Sequence, residues 1–279
     1  MGRLAFLGLL LFSGSAWAQY DDAECRGNPH LSRAKDEYER LEFDRAARTL
    51  QRAVEFTRNC RWDLAEIYRL KGFVDAVNNE RERCQRSFEI LLALDPDFVM
   101  AENVPPKIQS CFDEALEVPR VQRQLILQHE SLATVLPDAP LSIDVLLEDP
   151  LRLVNEIEVY FRRDGVDVFT TVKARADDRV SVVLPALALP GGAEAYEVEY
   201  FVRAVDRWEG TLTQLGEARE PLNFTVARAK GSRSVFKKWW FWSTVGAAAA
   251  GGVATAVVLS QGGSDDIDFV VDTRVAGGR

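Results

Sequence analysis

Phe43-Asp44-Arg45-Ala46-Ala47-Arg48-Thr49-Leu50-Gln51-Arg52-Ala53-Val54 matches the later segment that closes on Leu92-Ala93-Leu94 at a constant offset of 38 residues. The offset pairs Ala46 with Cys84, Leu50 with Phe88, Ala53 with Leu91, Val54 with Leu92 and Phe56 with Leu94. These positions follow the i, i+4, i+7, i+8 spacing of one helix face, so each segment carries the same apolar stripe to bury against a neighbour. Helical periodicity runs over residues 32–117 and predicts helices over 32–41, 43–58, 62–77 and 80–94. A fifth, from Pro106 to Glu117, carries Ile108, Phe112 and Leu116 in one stripe and is read as a cap, because stacked repeats must cover their end faces.

The second copy adds Gly72 and the closing Leu94-Asp95-Pro96. With Phe88, Leu91 and Leu92 these residues stand at the relative spacings of the tetratricopeptide repeat, and the stretch resembles a divergent pair of such repeats. The resemblance implies antiparallel helical hairpins whose first helices line a concave surface suited to a peptide or helix. Lys71 and Asp75 stand where the family has apolar residues, and the first copy lacks both the small residue and the terminal proline. The extra length over the family's repeat falls in the loop around Asn59-Cys60-Arg61. A plain helical bundle is the competing reading; it shares the hairpins but not the superhelical stacking.

Four cysteines, Cys25, Cys60, Cys84 and Cys111, all fall in this helical part. In an exported chain an even, regionally confined set reads as two disulfides. Free buried thiols and a zinc site are the alternatives, but no Cys-x-x-Cys pair occurs and His30 and His129 are the only histidines. Antiparallel hairpins bring Cys25 toward Cys60 and Cys84 toward Cys111, one of three possible connectivities.

Export is expected from residues 1–18, a secretory signal peptide with Arg3, the apolar stretch Leu4 to Phe12 and the ending Ala16-Trp17-Ala18. At the other end, Lys237-Lys238-Trp239-Trp240-Phe241-Trp242 opens an uncharged run to Leu259. Residues 239–259 read as a transmembrane helix, preceded by a basic juxtamembrane segment over 229–238 and followed by a flexible tail over 260–279. Lys237, Lys238, Trp239, Trp240 and Trp242 are the expected interface collar with membrane lipid. The charge bias alone places the N-terminal side in the cytoplasm; the signal peptide reverses that orientation.

Beyond Pro119 the apolar period changes to two. Leu141, Ile143, Val145 and Leu147 alternate with more polar neighbours, as do Ile157, Val159 and Phe161, then Val180, Val182 and Leu184, then Val198, Tyr200 and Val202. Turn residues such as Asp164-Gly165 and Pro190-Gly191-Gly192 separate the runs. With 122–127, 169–174 and 222–226 added, seven strands emerge. The segment from Tyr196 to Asp206, with Glu220 to Val226, resembles the closing strands of immunoglobulin-like and fibronectin-like modules. The fold class expected is therefore multidomain: a tetratricopeptide-like helical domain over 19–118, an immunoglobulin-like all-β sandwich over 119–228, and one C-terminal transmembrane helix.

A net charge of -9 argues against nucleic acid as partner. No nucleophile motif, metal cluster or phosphate-binding glycine loop stands out, so no catalytic residue, metal or cofactor is expected. His129 reads as a surface residue near a domain junction. The leading expectation is an exported, membrane-anchored adaptor in a bacterial cell envelope, on the periplasmic side, binding a protein or peptide partner through its helical domain. An enzyme acting on cell-wall polymer and a polysaccharide-binding assembly factor are the alternatives.

Overall fold

The structure is a computed structural model that describes residues 27–229. Asn28 opens the first helix by accepting from the amides of His30 and Leu31, with Pro29 at the first turn where a missing N–H costs nothing. Five helices follow in antiparallel succession: α1 (Pro29–Glu39), α2 (Phe43–Val54), α3 (Arg61–Val77), α4 (Arg81–Leu94) and α5 (Pro106–Glu117). Nine strands come after them: β1 (Ile126–His129), β2 (Thr134–Val135), β3 (Leu141–Glu148), β4 (Glu156–Arg163), β5 (Thr170–Arg175), β6 (Arg179–Leu184), β7 (Tyr196–Val205), β8 (Thr211–Leu215) and β9 (Leu222–Val226).

The 38-residue offset extends to the backbone. α1 and α3 end at Glu39 and Val77, while α2 and α4 begin at Phe43 and Arg81. Between them Leu41 and Asn79 both take left-handed backbone, at φ of 63° and 64°. Each turn is closed by the same long bond, from the amide of Glu42 to the carbonyl of Glu37 at 2.9 Å and from Glu80 to Asp75 at 2.8 Å. These bonds satisfy carbonyls that a helix end otherwise leaves open.

Side chains repeat with the backbone. In α3, a Cβ built on Gly72 would lie 2.6 Å from the Phe88 ring of α4, so the close approach of these helices requires glycine. In the first copy the equivalent positions hold Ala34 and Leu50, both fully buried in one cluster. The smaller leucine leaves room for a methyl, so the first copy does have its small residue, one helix ahead of the segment where the repeat is most visible. Glu37 and Asp75 form a further pair, buried at equivalent places and facing the hydroxyls of Thr49 and Ser87, themselves 38 residues apart.

Cys84 of α4 and Cys111 of α5 are joined, Cα to Cα 6.3 Å, which is the expected bridge. It closes a loop of 27 residues and fastens the capping helix to the second hairpin. Cys60 is disulfide-bonded as well; Cys25 lies outside the described residues.

The strands form two layers over one core. β1-β3-β6 make a three-stranded antiparallel sheet, and β2-β9-β7-β4-β5 make a larger one in which β8 shares an edge of β7 with β9. Ile143, Val145, Val180 and Val182 from the first meet Ile157, Val159, Tyr200, Val202 and Phe224 from the second in a single buried cluster. His129 on β1 is part of this packing: its Nδ1–H donates to the carbonyl of Asp144, and its Nε2 accepts from the hydroxyl of the fully buried Tyr200.

Helices and sheets are joined through their loops. The amide of Arg58 donates to the carbonyl of Trp208 at 3.0 Å, and the amide of Thr211 donates to the carbonyl of Asn59 at 2.9 Å. Leu212 of β8 is buried in the same cluster as Leu64, Phe88, Leu91 and Phe112 of the helices. Arg86 of α4 donates to the carbonyl of Leu151, in the loop between β3 and β4.

This arrangement corrects the fold class expected from the sequence. Instead of a helical-repeat domain set apart from an all-β immunoglobulin-like sandwich and followed by a transmembrane helix, the described residues form five helices and a strand-rich region with a mixed sheet that share a core. The larger sheet is mixed, because β2 pairs parallel with β9. Alternating hydrophobicity reports which residues face a core, and is silent about strand direction and about which elements share that core. None of the described helices is long and apolar enough to cross a membrane. α3, the longest at 17 residues, carries Arg61, Asp63, Glu66, Arg69, Lys71 and Asp75. The signal peptide over 1–18, the expected span over 239–259, its collar of Lys237, Lys238, Trp239, Trp240 and Trp242, and the tail over 260–279 lie outside the described residues.

Three outcomes are expected. Gly72→Ala forces the Phe88 ring out of place and costs about 1–3 kcal/mol in denaturant unfolding, with partial rescue by Phe88→Leu, which restores the first copy's pairing. Leu212→Ala leaves a cavity between the layers and costs about 2–5 kcal/mol, with helical and sheet signals lost in one transition. The buried acids respond to pH in opposite senses. The Thr49 hydrogen bond, the largest influence on Glu37, acts with Arg33 to hold its carboxyl below the ordinary 4.5 in spite of burial. Its stabilisation is present above 4.5 and lost as pH falls through the depressed folded value. Glu37→Gln therefore lowers the melting temperature near neutrality, by an amount that shrinks on acidification. Burial is the dominant influence on Asp75 and raises it above the ordinary 3.8, Lys71 and Ser87 opposing. Its penalty is full above the raised value and absent below 3.8, so Asp75→Asn raises the melting temperature near neutrality and the gain disappears in acid. Circular dichroism melts across about pH 3 to 7 separate the two.

Candidate functional site

Most of α3 is committed to packing: Leu64, Ile67, Leu70 and Val74 are buried among the other helices. Trp62, Glu66, Arg69 and Phe73, at i, i+4, i+7 and i+11, form one stripe that keeps access to solvent. Trp62 is the most open member, 51% exposed, an unusual state for the largest apolar side chain. α1 lies alongside and contributes Lys35 and Tyr38. Lys35 Nζ stands 2.9 Å from Glu66 Oε1. The Tyr38 ring packs 6.2 Å from Phe73 and edge-on to Phe43 at 5.6 Å.

Arg69 ties the patch together. Its Nε and Nη2 donate to the two carboxylate oxygens of Glu66 at 2.6 and 2.7 Å, and its guanidinium carbon lies 5.0 Å from the centre of the Phe73 ring. Burial pushes the Glu66 carboxyl up, but hydrogen bonds from Arg69 and Lys35 and their charges outweigh it and hold the group below the usual carboxylate value. The bond to Glu66 correspondingly raises Arg69. Burial raises the Tyr38 hydroxyl, so it stays a neutral donor. A planar cation fixed against a ring, beside a half-exposed indole and a phenol, is a preorganised surface of the residue types that dominate protein recognition.

The repeat residues read from the sequence are framework. Ala46, Leu50 and Ala53 on α2, and Phe88 and Leu91 on α4, are buried; Gly72 lies under Phe88, and Pro96 follows the end of α4. Ala46, Leu50 and Ala53 pack against both α1 and α3, and Gly72 with Phe88 seats α3 on α4, so these residues support the patch without belonging to it. Sequence reading passed over Lys35, Tyr38, Trp62, Glu66, Arg69 and Phe73. The stripe from Trp62 to Phe73 was visible as helical spacing, but mixed charge and aromaticity look like an ordinary solvated face. Only the packing of α1 distinguishes it.

A second polar cluster lies on the outer face of the larger sheet. Register sets Glu158 opposite both Arg203 and Lys173, Tyr160 opposite Phe201, and Arg162 opposite Glu199. Tyr160 and Phe201 stack at 4.6 Å and 6°, and Lys173 reaches Glu158 at 2.7 Å and Glu209 at 3.3 Å. Glu209 in turn pairs with Arg58 at the helical junction. Through Glu209 and Arg58 this cluster joins the sheet to the helices, whereas the α1–α3 face carries the half-exposed Trp62 beside its ion pairs and is the candidate site. Among the described residues, no group of three or more His, Cys, Asp or Glu is placed to hold a metal ion. No protein-family model matches the chain, and no curated protein matches it.

Proposed function

We propose that this chain is an exported adaptor that captures a protein or peptide partner on the face formed by α1 and α3. The observation that carries the reading is the half-open stripe Trp62-Glu66-Arg69-Phe73, braced by Lys35 and Tyr38 from the first hairpin. Two first helices placed side by side by an internal repeat present one continuous face to a ligand, and the matching turns at Leu41 and Asn79 support that repeat. Export is supported by the signal-like N-terminus and by cysteine usage, since a bridge such as Cys84–Cys111 persists in an oxidising compartment of the kind a bacterial periplasm provides. A partner with an acidic or amide-rich, partly aromatic segment suits the patch, engaging the outer edge of Arg69 and stacking on Trp62.

Crosslinking in the native envelope followed by mass spectrometry tests this. The wild-type chain is expected to capture a specific partner. Trp62→Ala combined with Arg69→Ala reduces capture by about tenfold or more, while Arg48→Ala on the exposed side of α2 leaves it unchanged. Melting temperatures establish that the variants are folded. Equal capture by the double variant, or no specific capture by the wild type, overturns the proposal.

A further inference from the structure

The strand register places five strand ends at one end of the sheet pair. β4 ends there, since Arg163 pairs with Val198 near the start of β7. β5 begins there, opposite Phe161. β9 and the parallel β2 end there, Val226 opposite Tyr196 and Val135 beside Val226. β6 ends there with Leu184 against Leu141. The helices occupy the opposite end, where the loops carrying Leu151 and Trp208 meet them.

This free end is apolar at its tips. Leu136 is 69% exposed, Val168 60% and Leu187 94%, with Val166 beside Val168 on the β4–β5 turn. Val166, Val168 and Ala188 also line a cleft of about 270 Å³ floored by Phe161 and Val198. Arg163 stands at its rim, its guanidinium 4.3 Å from the centre of the Tyr196 ring. The carboxylates of Asp164 and Asp167 flank the β4–β5 tip, so the end is not a cationic patch in itself. Single exposed aliphatics need no explanation, but four on three adjoining loops at one end do.

The described chain leaves the fold at this same end: the amide of Ala229 bonds the carbonyl of Gly192, in the loop between β6 and β7. From Ala229 to Trp239 is ten residues, at most about 33–36 Å of chain. Within that reach come Lys230, Arg233, Lys237, Lys238 and Trp239, with Trp240, Phe241 and Trp242 next in the chain. Lysines followed by clustered tryptophans are the side chains that partition to a phospholipid headgroup layer. We propose that the end of the sheet pair bearing Leu136, Val166, Val168 and Leu187 is a lipid-facing surface that rests its apolar tips in the headgroup region of a phospholipid bilayer. The basic stretch following Ala229 supplies the attraction to anionic lipid that the tips lack, and the tips supply orientation.

Hydrogen exchange with mass-spectrometric readout, on the full chain with and without vesicles of phosphatidylethanolamine and phosphatidylglycerol, tests the proposal. Amides over 164–169 and 185–192 are expected to slow on vesicle addition while those of α1 and α2 do not change. Val168→Asp with Leu187→Asp, both exposed and so compatible with folding, abolishes the slowing at these loops in chains that still sediment with vesicles. Vesicle-bound wild type with unprotected loops, or a chain that does not bind vesicles, overturns it. Protection that appears on raising protein concentration without lipid also overturns it, and assigns the surface to a second copy.

Discussion

Two backbone hydrogen bonds, from Arg58 to Trp208 and from Thr211 to Asn59, decide how the rest of the molecule can be used. They join the turn between the two helical hairpins to the turn between β7 and β8. Beside them Leu212 leaves its own sheet and enters the helical core. The bond from Thr211 to Asn59 lies between two buried residues and has little tolerance for sliding, because a lost partner leaves an unsatisfied amide or carbonyl away from water. The Arg58–Glu209–Lys173 chain of charges extends the junction onto the outer face of the larger sheet. Helices and sheets are consequently fixed in one orientation, and surfaces on either part keep a constant relation to each other.

Within the helices the constraint is repetition. Both hairpins turn through a left-handed residue and close with the same long amide-to-carbonyl bond, so side chains packed near these turns meet the same geometry 38 residues apart. Two solutions to that geometry are seen. Ala34 with Leu50, and Gly72 with Phe88, keep the same total bulk while moving it across the interface. Glu37 with Thr49, and Asp75 with Ser87, keep the same acid–hydroxyl chemistry but with opposite electrostatic outcomes, since at Glu37 the Thr49 bond, joined by Arg33 at 2.9 Å, outweighs burial, whereas burial dominates at Asp75. Repeating the backbone is compatible with divergence in energetics, so an internal repeat need not be made of equally stable halves.

How much of this was legible in the sequence depended on whether the signal was local. Helix positions, the 38-residue period and the Cys84–Cys111 bridge follow from spacing along the chain, and they correspond to what is folded. β2 and β8 are not legible: two residues are too few to show alternation, and β8 shows none because Thr211 and Leu212, neighbours that point to opposite faces, are both buried, Leu212 in the helical core. The same reason hid the shared core. Leu212, Leu125 and Leu151 read as ordinary apolar residues of strands and loops until the helices that cover them are known. Along the chain Asp75 departs from the repeat pattern and Glu37 looks like an ordinary surface acid, because a buried acid is intelligible only with the hydroxyl that meets it across the hairpin.

The rigid junction also gives the two proposed surfaces a separation. The helices sit at one end of the strands, and the exit at Ala229 lies at the other, close to Gly192. β7 runs between those ends with ten residues, which at about 3.3–3.4 Å each make a strand of roughly 33 Å. A partner held on the α1–α3 face is thus kept at least a strand's length from whatever the exit end rests on, by a spacer with no hinge at its helical junction. A flexible linker of equal contour length would sample short separations as well as long ones. A pair of packed sheets excludes the short ones, so the layer between the two proposed surfaces sets their distance as well as connecting them.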